Sequence, residues 1–313
     1  IRISDWSSDV CSSDLAPFVP ALSRFEEPLD LNLVFSGHGK HLDCPTLRLT
    51  NHHGLMIAGE AALSNWDAGM DMYIYGKLGN LTMTKEGINV LMTNLTGKVP
   101  PILQRLDYIS FNGEAAGYLH DLTLTGLFHT GAGMVKTDVM MSIDEQSMSR
   151  TYSGSVASAD LDLGKLLNQE KKFGKVDFNV ELKGFNYKNR YPESYIKGII
   201  SSFEYSQYQY ENIMLDGVYK DGGFNGRLSM DDANGSVQID GNFNVAKTIP
   251  DFNLKASVKN LRPHDLHLSD KYENASISLG LTADFTGKSI DDMNGRISLD
   301  SLQLNAPDEG GCA

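Results

Sequence analysis

The densest set of side chains able to do metal or nucleophile chemistry is His38, His41, Cys44, His52 and His53. A tetrahedral zinc site needs three or four nitrogen or sulfur ligands brought to one point, which in sequence shows as close pairs such as C-x-x-C or H-x-x-x-H. Neither pair occurs in this set, and within one strand His38 and His41 point to opposite sides. These histidines read as exposed strand and turn residues. Asp231-Asp232-Ala233-Asn234-Gly235 is a faint likeness of a calcium loop. It lacks the further carboxylates and the closing Glu twelve positions from the start. Asp, Asn and Gly are also hairpin-turn residues, since Asn and Gly tolerate positive φ and Asp bonds its own backbone. Asp291-Asp292-Met293-Asn294-Gly295 repeats the shape before another strand. No G-x-S-x-G elbow and no Walker glycine loop occurs, and the paired carboxylates sit in turns. The chain reads as a non-enzyme with no metal and no cofactor.

The elements that carry these residues are strands. Phe224 to Val258 holds three in a row: 224–230, 237–245 and 252–258. Each alternates apolar with polar, so Leu228, Val237, Ile239, Phe243, Leu254 and Ala256 share one face and Asn, Asp, Ser, Gln and Lys share the other. The same alternation appears at Leu29–Phe35, Leu47–Leu49, Leu55–Ala61, Met70–Gly76, Leu81–Met83 and Ile88–Met92. It continues at Ile109–Ala115, Leu122–Phe128, Thr137–Ile143 and Tyr152–Val156, then at Gly174–Gly184, which contains Val176, Phe178 and Val180. Tyr195–Ile200, Ile213–Tyr219, Ile277–Gly287 with Leu279, Leu281 and Phe285, Ile297–Leu299 and Leu302–Leu304 complete the series. Gly37, Gly54, Gly69, Gly79 and Gly87 read as turn or end residues. Short helices are expected at Val99–Leu106, opened by Pro100 and Pro101, and at Leu163–Leu167, with a helical or turn insertion at Pro263-His264.

Roughly twenty strand patterns against about three short helices make the chain all-β. The helices are too few to serve as crossovers in a parallel sheet. One apolar face per strand can be covered by folding into sandwiches, by closing a barrel, or by curling into a trough that holds a guest. Twelve methionines, among them Met70, Met72, Met83, Met92, Met141 and Met230, suit a surface that accepts variable alkyl chains; they equally fill gaps in a sandwich core. The aromatic run Tyr195–Tyr219 reads as strand-face packing. With a formal net charge of −13, the chain has no electrostatic footprint for nucleic acid.

Asp5–Leu15 spells DWSSDVCSSDL, the in-frame translation of a common sequencing-adapter string. Residues 1–15 are therefore read as non-native and left out of the fold argument. Both ends read as cuts in a longer protein, and Cys44 and Cys312 neither demand a disulfide framework nor exclude an oxidising compartment.

The block from Ile196 to Leu304 resembles the TamB family of Bacteroidetes-type bacteria, within the AsmA-like superfamily. The residues that carry this are Gly198–Tyr205, Leu215-Asp-Gly217, Gly223-Phe-Asn-Gly226, Asp232-Ala-Asn-Gly235, Gly241-Asn-Phe243, Leu261-Arg-Pro-His264, Leu268–Tyr272 and Phe285–Gly295. The resemblance implies a long antiparallel meander curled into an elongated β-groove, or β-taco, with a few short helices. Phe185–Ser194 is polar, contains Pro192 and reads as the internal boundary; the resemblance makes 16–184 an AsmA-like β-repeat region and 195–313 a TamB-like groove region. It implies a periplasmic protein whose parent is anchored in the inner membrane by a helix outside this sequence. The implied function is phospholipid transfer between the membranes, with acyl chains as partners. The alternative is a scaffold for outer-membrane protein assembly or secretion with a BamA-like barrel partner. The lipid-groove residues expected on this reading are Val176, Phe178, Val180, Leu228, Val237, Ile239, Phe243, Leu254, Ala256, Leu279, Leu281 and Phe285.

Overall fold

The computed structural model describes residues 2–11, 28–144, 146, 147, 149–186, 193–244, 247–271, 273–288 and 292–306. Antiparallel pairing of consecutive strands links them into one meander, which is not closed into a barrel. Two compact units divide it, Ile1–Glu145 with Ser158–Asn168 and Gln146–Ala157 with Gln169–Ala313. Among the described residues no helix is long and apolar enough to cross a membrane, which says nothing of crossing by strands.

The first unit runs β1 (Arg2–Cys11), β2 (Pro28–His38), β3 (His41–Thr50), β4 (Leu55–Ser64), β5 (Tyr73–Thr84), α1 (Lys85–Thr96), α2 (Pro101–Gln104), β6 (Tyr108–Tyr118), β7 (Asp121–Thr130) and β8 (Gly133–Ile143). β9 (Arg150–Asp162) ends in this unit and leads into α3 (Leu163–Leu167). β1, read from the sequence as non-native, is laid antiparallel on β2.

Several expectations are corrected here. Ile88–Met92 is helical, within α1. Thr84 Oγ1 accepts from the Gly87 N–H at 3.2 Å, and Gly97, at φ 75°, closes the helix in the left-handed region with its N–H on Thr93 O. Gly87 is thus inside a capped helix. Gly79 is no turn either: Leu81 and Met83 continue β5 past it, and the ladder slips between Leu78 and Leu81 to absorb the glycine as a bulge. Gly37 likewise lies within β2. Met70 belongs to a 3-10 turn, Gly69–Asp71, ahead of β5. α2 is a single turn, Pro101–Gln104, shorter than the expected Val99–Leu106. Around α1–α3 the unit has a small core of Leu55, Ile88, Leu106, Ile109, Phe111 and Leu161.

The second unit holds the start of β9 and then β10 (Phe173–Asn186), β11 (Glu193–Tyr205), β12 (Tyr208–Lys220), β13 (Gly223–Asp232), β14 (Gly235–Asn244), β15 (Asp251–Leu261), β16 (Ser276–Thr286) and β17 (Asn294–Asn305). The expected boundary at 185–194 begins and ends in ladder: Phe185 pairs with Glu193 and Gly184 with Ser194, while 187–192, Pro192 included, lie outside the described residues. The compact units part at Glu145–Gln146, within β9 at Ala157–Ser158, and at Asn168–Gln169. Asp231–Gly235 is a hairpin turn, in which Asp232 Oδ1 accepts the Asn234 N–H at 2.9 Å. Pro263-His264 opens a run of turns, tied by Leu266 N–H to Arg262 O at 3.1 Å. Asp291, in the repeat of that turn shape, and Cys312 lie outside the described residues.

Candidate functional site

The apolar positions of the second unit come together through register. Leu215, Leu228, Ile239, Ala256, Leu281 and Leu299 are successive ladder partners from β12 to β17. Ile213, Met230, Val237, Val258, Leu279 and Leu302 form the next row. On the other side of the first row run Gly217, Gly226, Gly241, Leu254, Ala283 and Ile297, and beyond them Tyr219, Phe224, Phe243, Phe252 and Phe285. β10 and β11 extend the face, with Val176 opposite Phe203, Phe178 opposite Ile200 and Val180 opposite Gly198. All twelve residues expected to line a groove therefore lie on one registered face of eight strands. Val176 is buried and the other eleven are half-buried.

Residues the alternation left out complete the face. Ile200 and Phe203 differ in parity, so a strict period of two puts them on opposite sides. Ser201 is an extra residue against β10, and nearby Asn212 takes φ 52° in β12. These irregularities rephase both strands and bring Phe203 and Tyr210 to the side of Ile200 and Ile213, with the Phe203 and Tyr210 rings 6.4 Å apart. The positive φ of an Asn is a signal that sequence alone leaves open.

Both rims of the face are aromatic. At one, Phe224 and Phe243 lie 5.7 Å apart, and Phe252 stacks on Phe285 at 4.7 Å. At the other, Tyr208 and Tyr210 meet edge to face at 4.8 Å. Residues 262–271 close over this second rim. Tyr210 Oη donates to Leu266 O at 2.7 Å, His267 Nδ1 donates to Ser206 O at 2.8 Å, and Leu266 is 0% exposed. Burial pushes the Tyr208 hydroxyl up to about 12, helped by its hydrogen bond to Asp232. Between the rims the lining is aliphatic.

Glycines set the local bend. A Cβ on Gly226 would lie 2.3 Å from Asp216 O and 2.4 Å from Gly217 Cα; one on Gly241 would lie 2.3 Å from Asn253 O. Both positions point to the apolar face, so the neighbouring backbones lean toward that face and leave room only for hydrogen. The opposite face carries charge of alternating sign. Glu181, Lys197, Asp216, Arg227, Asp240 and Lys255 are successive partners across β10–β15, with Arg227 Nε on Asp240 Oδ1 at 2.7 Å. Gln238, then Arg227, hold the Asp240 carboxyl below its usual range. One side of the sheet is charged and polar and the other apolar.

The residues with metal or nucleophile potential are scattered by the fold. His38 and His41 are ladder partners across the Gly39-Lys40 turn, rather than neighbours on one strand, because Gly39 at φ 59° reverses the chain between them. His41 is engaged by Ser64 Oγ at 2.6 Å and by Asp43 Oδ2 at 2.9 Å. Cys44 is buried, which raises its thiol pKa, and its Sγ donates to Thr46 O at 3.2 Å. Among the described residues no group of three or more His, Cys, Asp and Glu side chains is placed to hold a metal. Comparison with protein-family models, curated proteins and solved structures gives no match.

Proposed function

We propose that the apolar face of β10–β17 seats acyl chains, and that the chain is part of a non-enzymatic periplasmic conduit carrying phospholipid between the inner and outer membranes, as its resemblance to the TamB family implies. One observation carries the reading: apolar rows stay in register over eight strands while eleven of the twelve lining residues expected from sequence remain within reach of solvent. A face of this kind needs no polar recognition to hold lipid. Each methylene removed from water contributes ~0.8 kcal/mol, so burying eight methylenes of one acyl chain yields roughly 6 kcal/mol. The charge ladder keeps the other face wet, and headgroups stay in water along the rims. Movement is diffusion along the rows.

The test is lipid mass spectrometry on the chain secreted to a periplasm and purified gently. Stoichiometric phospholipid is expected, and Ile239→Asp, which places a carboxylate at the middle of the face, is expected to lose it. A well-folded chain free of lipid overturns the reading and leaves the scaffold for outer-membrane protein assembly in its place.

A further inference from the structure

The two rims of the apolar face are built differently, and the difference sets how a guest lies. At one rim residues 262–271 leave β15 and turn back across the ends of β14, β13 and β12. The Arg262 N–H donates to Asn234 O at 2.9 Å, in the β13–β14 turn, and His267 is bonded to Ser206 O, in the β11–β12 turn. Leu266 has no exposed surface in this strap, and its carbonyl takes the Tyr210 hydroxyl. The Tyr208 hydroxyl is likewise engaged, by Asp232 and Asn234. At the other rim the strand ends carry ion pairs. Lys220 Nζ lies 2.7 Å from Glu193 Oε2 and Lys247 Nζ 2.9 Å from Asp251 Oδ2, with both lysines more than half exposed.

The band between the rims has a constant width. Phe224 to Met230, Val237 to Phe243 and Phe252 to Val258 are each six residue steps on the apolar side, which is ~20 Å along the strand. The hydrocarbon of a bilayer is ~30 Å thick, so one leaflet supplies ~15 Å. The band therefore takes one layer of acyl chains laid along the strands and is too narrow for two laid end to end. A chain laid across the strands instead holds its headgroup over apolar neighbours, where a charge is costly. Resting on the acyl-chain reading above, we propose that each phospholipid lies along the strands, with its headgroup at the Lys220 and Lys247 rim and its chain ends against the strap. Leu266 then closes the seat and limits the acyl length it accepts. Lipids stand side by side along the meander, as they do in one leaflet, and every headgroup keeps to the same rim as the lipid moves.

Photolabelling of the full chain tests this. The probes are phosphatidylcholines carrying a diazirine on the last carbon of an acyl chain or on the headgroup, loaded from vesicles, with the attachment sites mapped by mass spectrometry. The chain-end probe is expected on the strap and on the Met230, Val237 and Val258 row. The headgroup probe is expected near Lys220, Phe224 and Phe252. The reverse pattern, or an even spread of both probes over the two rims, overturns the orientation and leaves the acyl seat standing. Labelling by neither probe overturns the seat and the orientation together. Leu266→Ala leaves a cavity at the end of the seat. With circular dichroism unchanged, its co-purified lipid is expected to shift toward longer acyl chains than the parent's, and an unchanged chain-length profile overturns the part given to Leu266. The labelling of the parent chain decides the orientation without any variant.

Discussion

Tyr208 shows how one side chain fastens a rim. Its hydroxyl donates to Asp232 Oδ1 at 2.5 Å and accepts from Asn234 Nδ2 at 3.1 Å, and its ring meets His267 edge to face at 5.8 Å. The phenol is neutral while protonated. Burial, and then the Asp232 carboxylate, raise its pKa from 10.0 to about 12, so the folded chain keeps a proton that the unfolded chain releases. The stability this contributes is complete below pH 10 and is lost as pH rises from 10 to about 12. Thermal melts across that window are expected to fall for the parent chain and to fall less for Tyr208→Phe. At neutral pH the same substitution is expected to cost about 1 kcal/mol, the ordinary net worth of one hydrogen bond. Asp232 stays satisfied in the variant through the N–H groups of Asn234 and Glu211.

At the scale of the strand, glycine separates positions where the sheet bends from positions where it merely lacks a side chain. Gly226 lies against the backbone of β12, with a Cβ position 2.3 Å from a carbonyl oxygen that has nowhere to move. Gly226→Ala is expected to destabilise by about 2 kcal/mol through forced strand displacement. Gly76 in β5 is also a strand glycine, yet a Cβ there meets nothing within 4 Å. Gly76→Ala is expected to stabilise by about 0.5 kcal/mol, because it restricts the unfolded chain at no steric cost. Denaturant titration of the two variants reads both signs, and equal effects would mean that the bend at Gly226 is absent.

That contrast also marks what the amino-acid pattern reveals. Alternation located nearly every strand and put all twelve groove candidates on a common face, because the side-chain period of a strand is fixed by its backbone geometry. It failed where period two and period 3.6 overlap. Ile88, Val90 and Met92 alternate, but Ile88 and Met92 are also one helical turn apart, and the deciding residues were the caps Thr84 and Gly97. It failed again at Gly79, where a bulge passes for a turn. The charge ladder is not legible in one dimension. It depends on which residues face each other across strands, and a single bulge such as Asp300 changes every partner after it.

For the chain as a whole, few side chains are fully removed from water. Among the described residues, thirteen apolar ones are buried, and in the second unit these are Val176, Tyr210, Leu266, Ala275 and Ala283. A sheet with so little covered hydrocarbon draws much of its cohesion from its ladders and, on the proposed lipid reading, from the acyl chains on its face. A guest that binds only the folded state adds stability as RT ln(1 + [L]/Kd), about 2.7 kcal/mol at a hundredfold excess over Kd. Chain stripped of lipid is therefore expected to melt several degrees below chain as purified, and to recover on addition of short-chain phosphatidylcholine. The control must separate groove from general surface. Ile239 and Gln238 are adjacent on β14 and point to opposite faces, the first into the apolar rows and the second toward Asp240, to which its Nε2 donates at 2.8 Å. Ile239→Asp is expected to abolish the recovery, because a carboxylate must then be desolvated by every chain that passes. Gln238→Asp adds the same charge on the wet face and is expected to recover as the parent does. If both variants recover alike, the lipid acts as a solvent for the whole surface, and the apolar face has no special part in holding it.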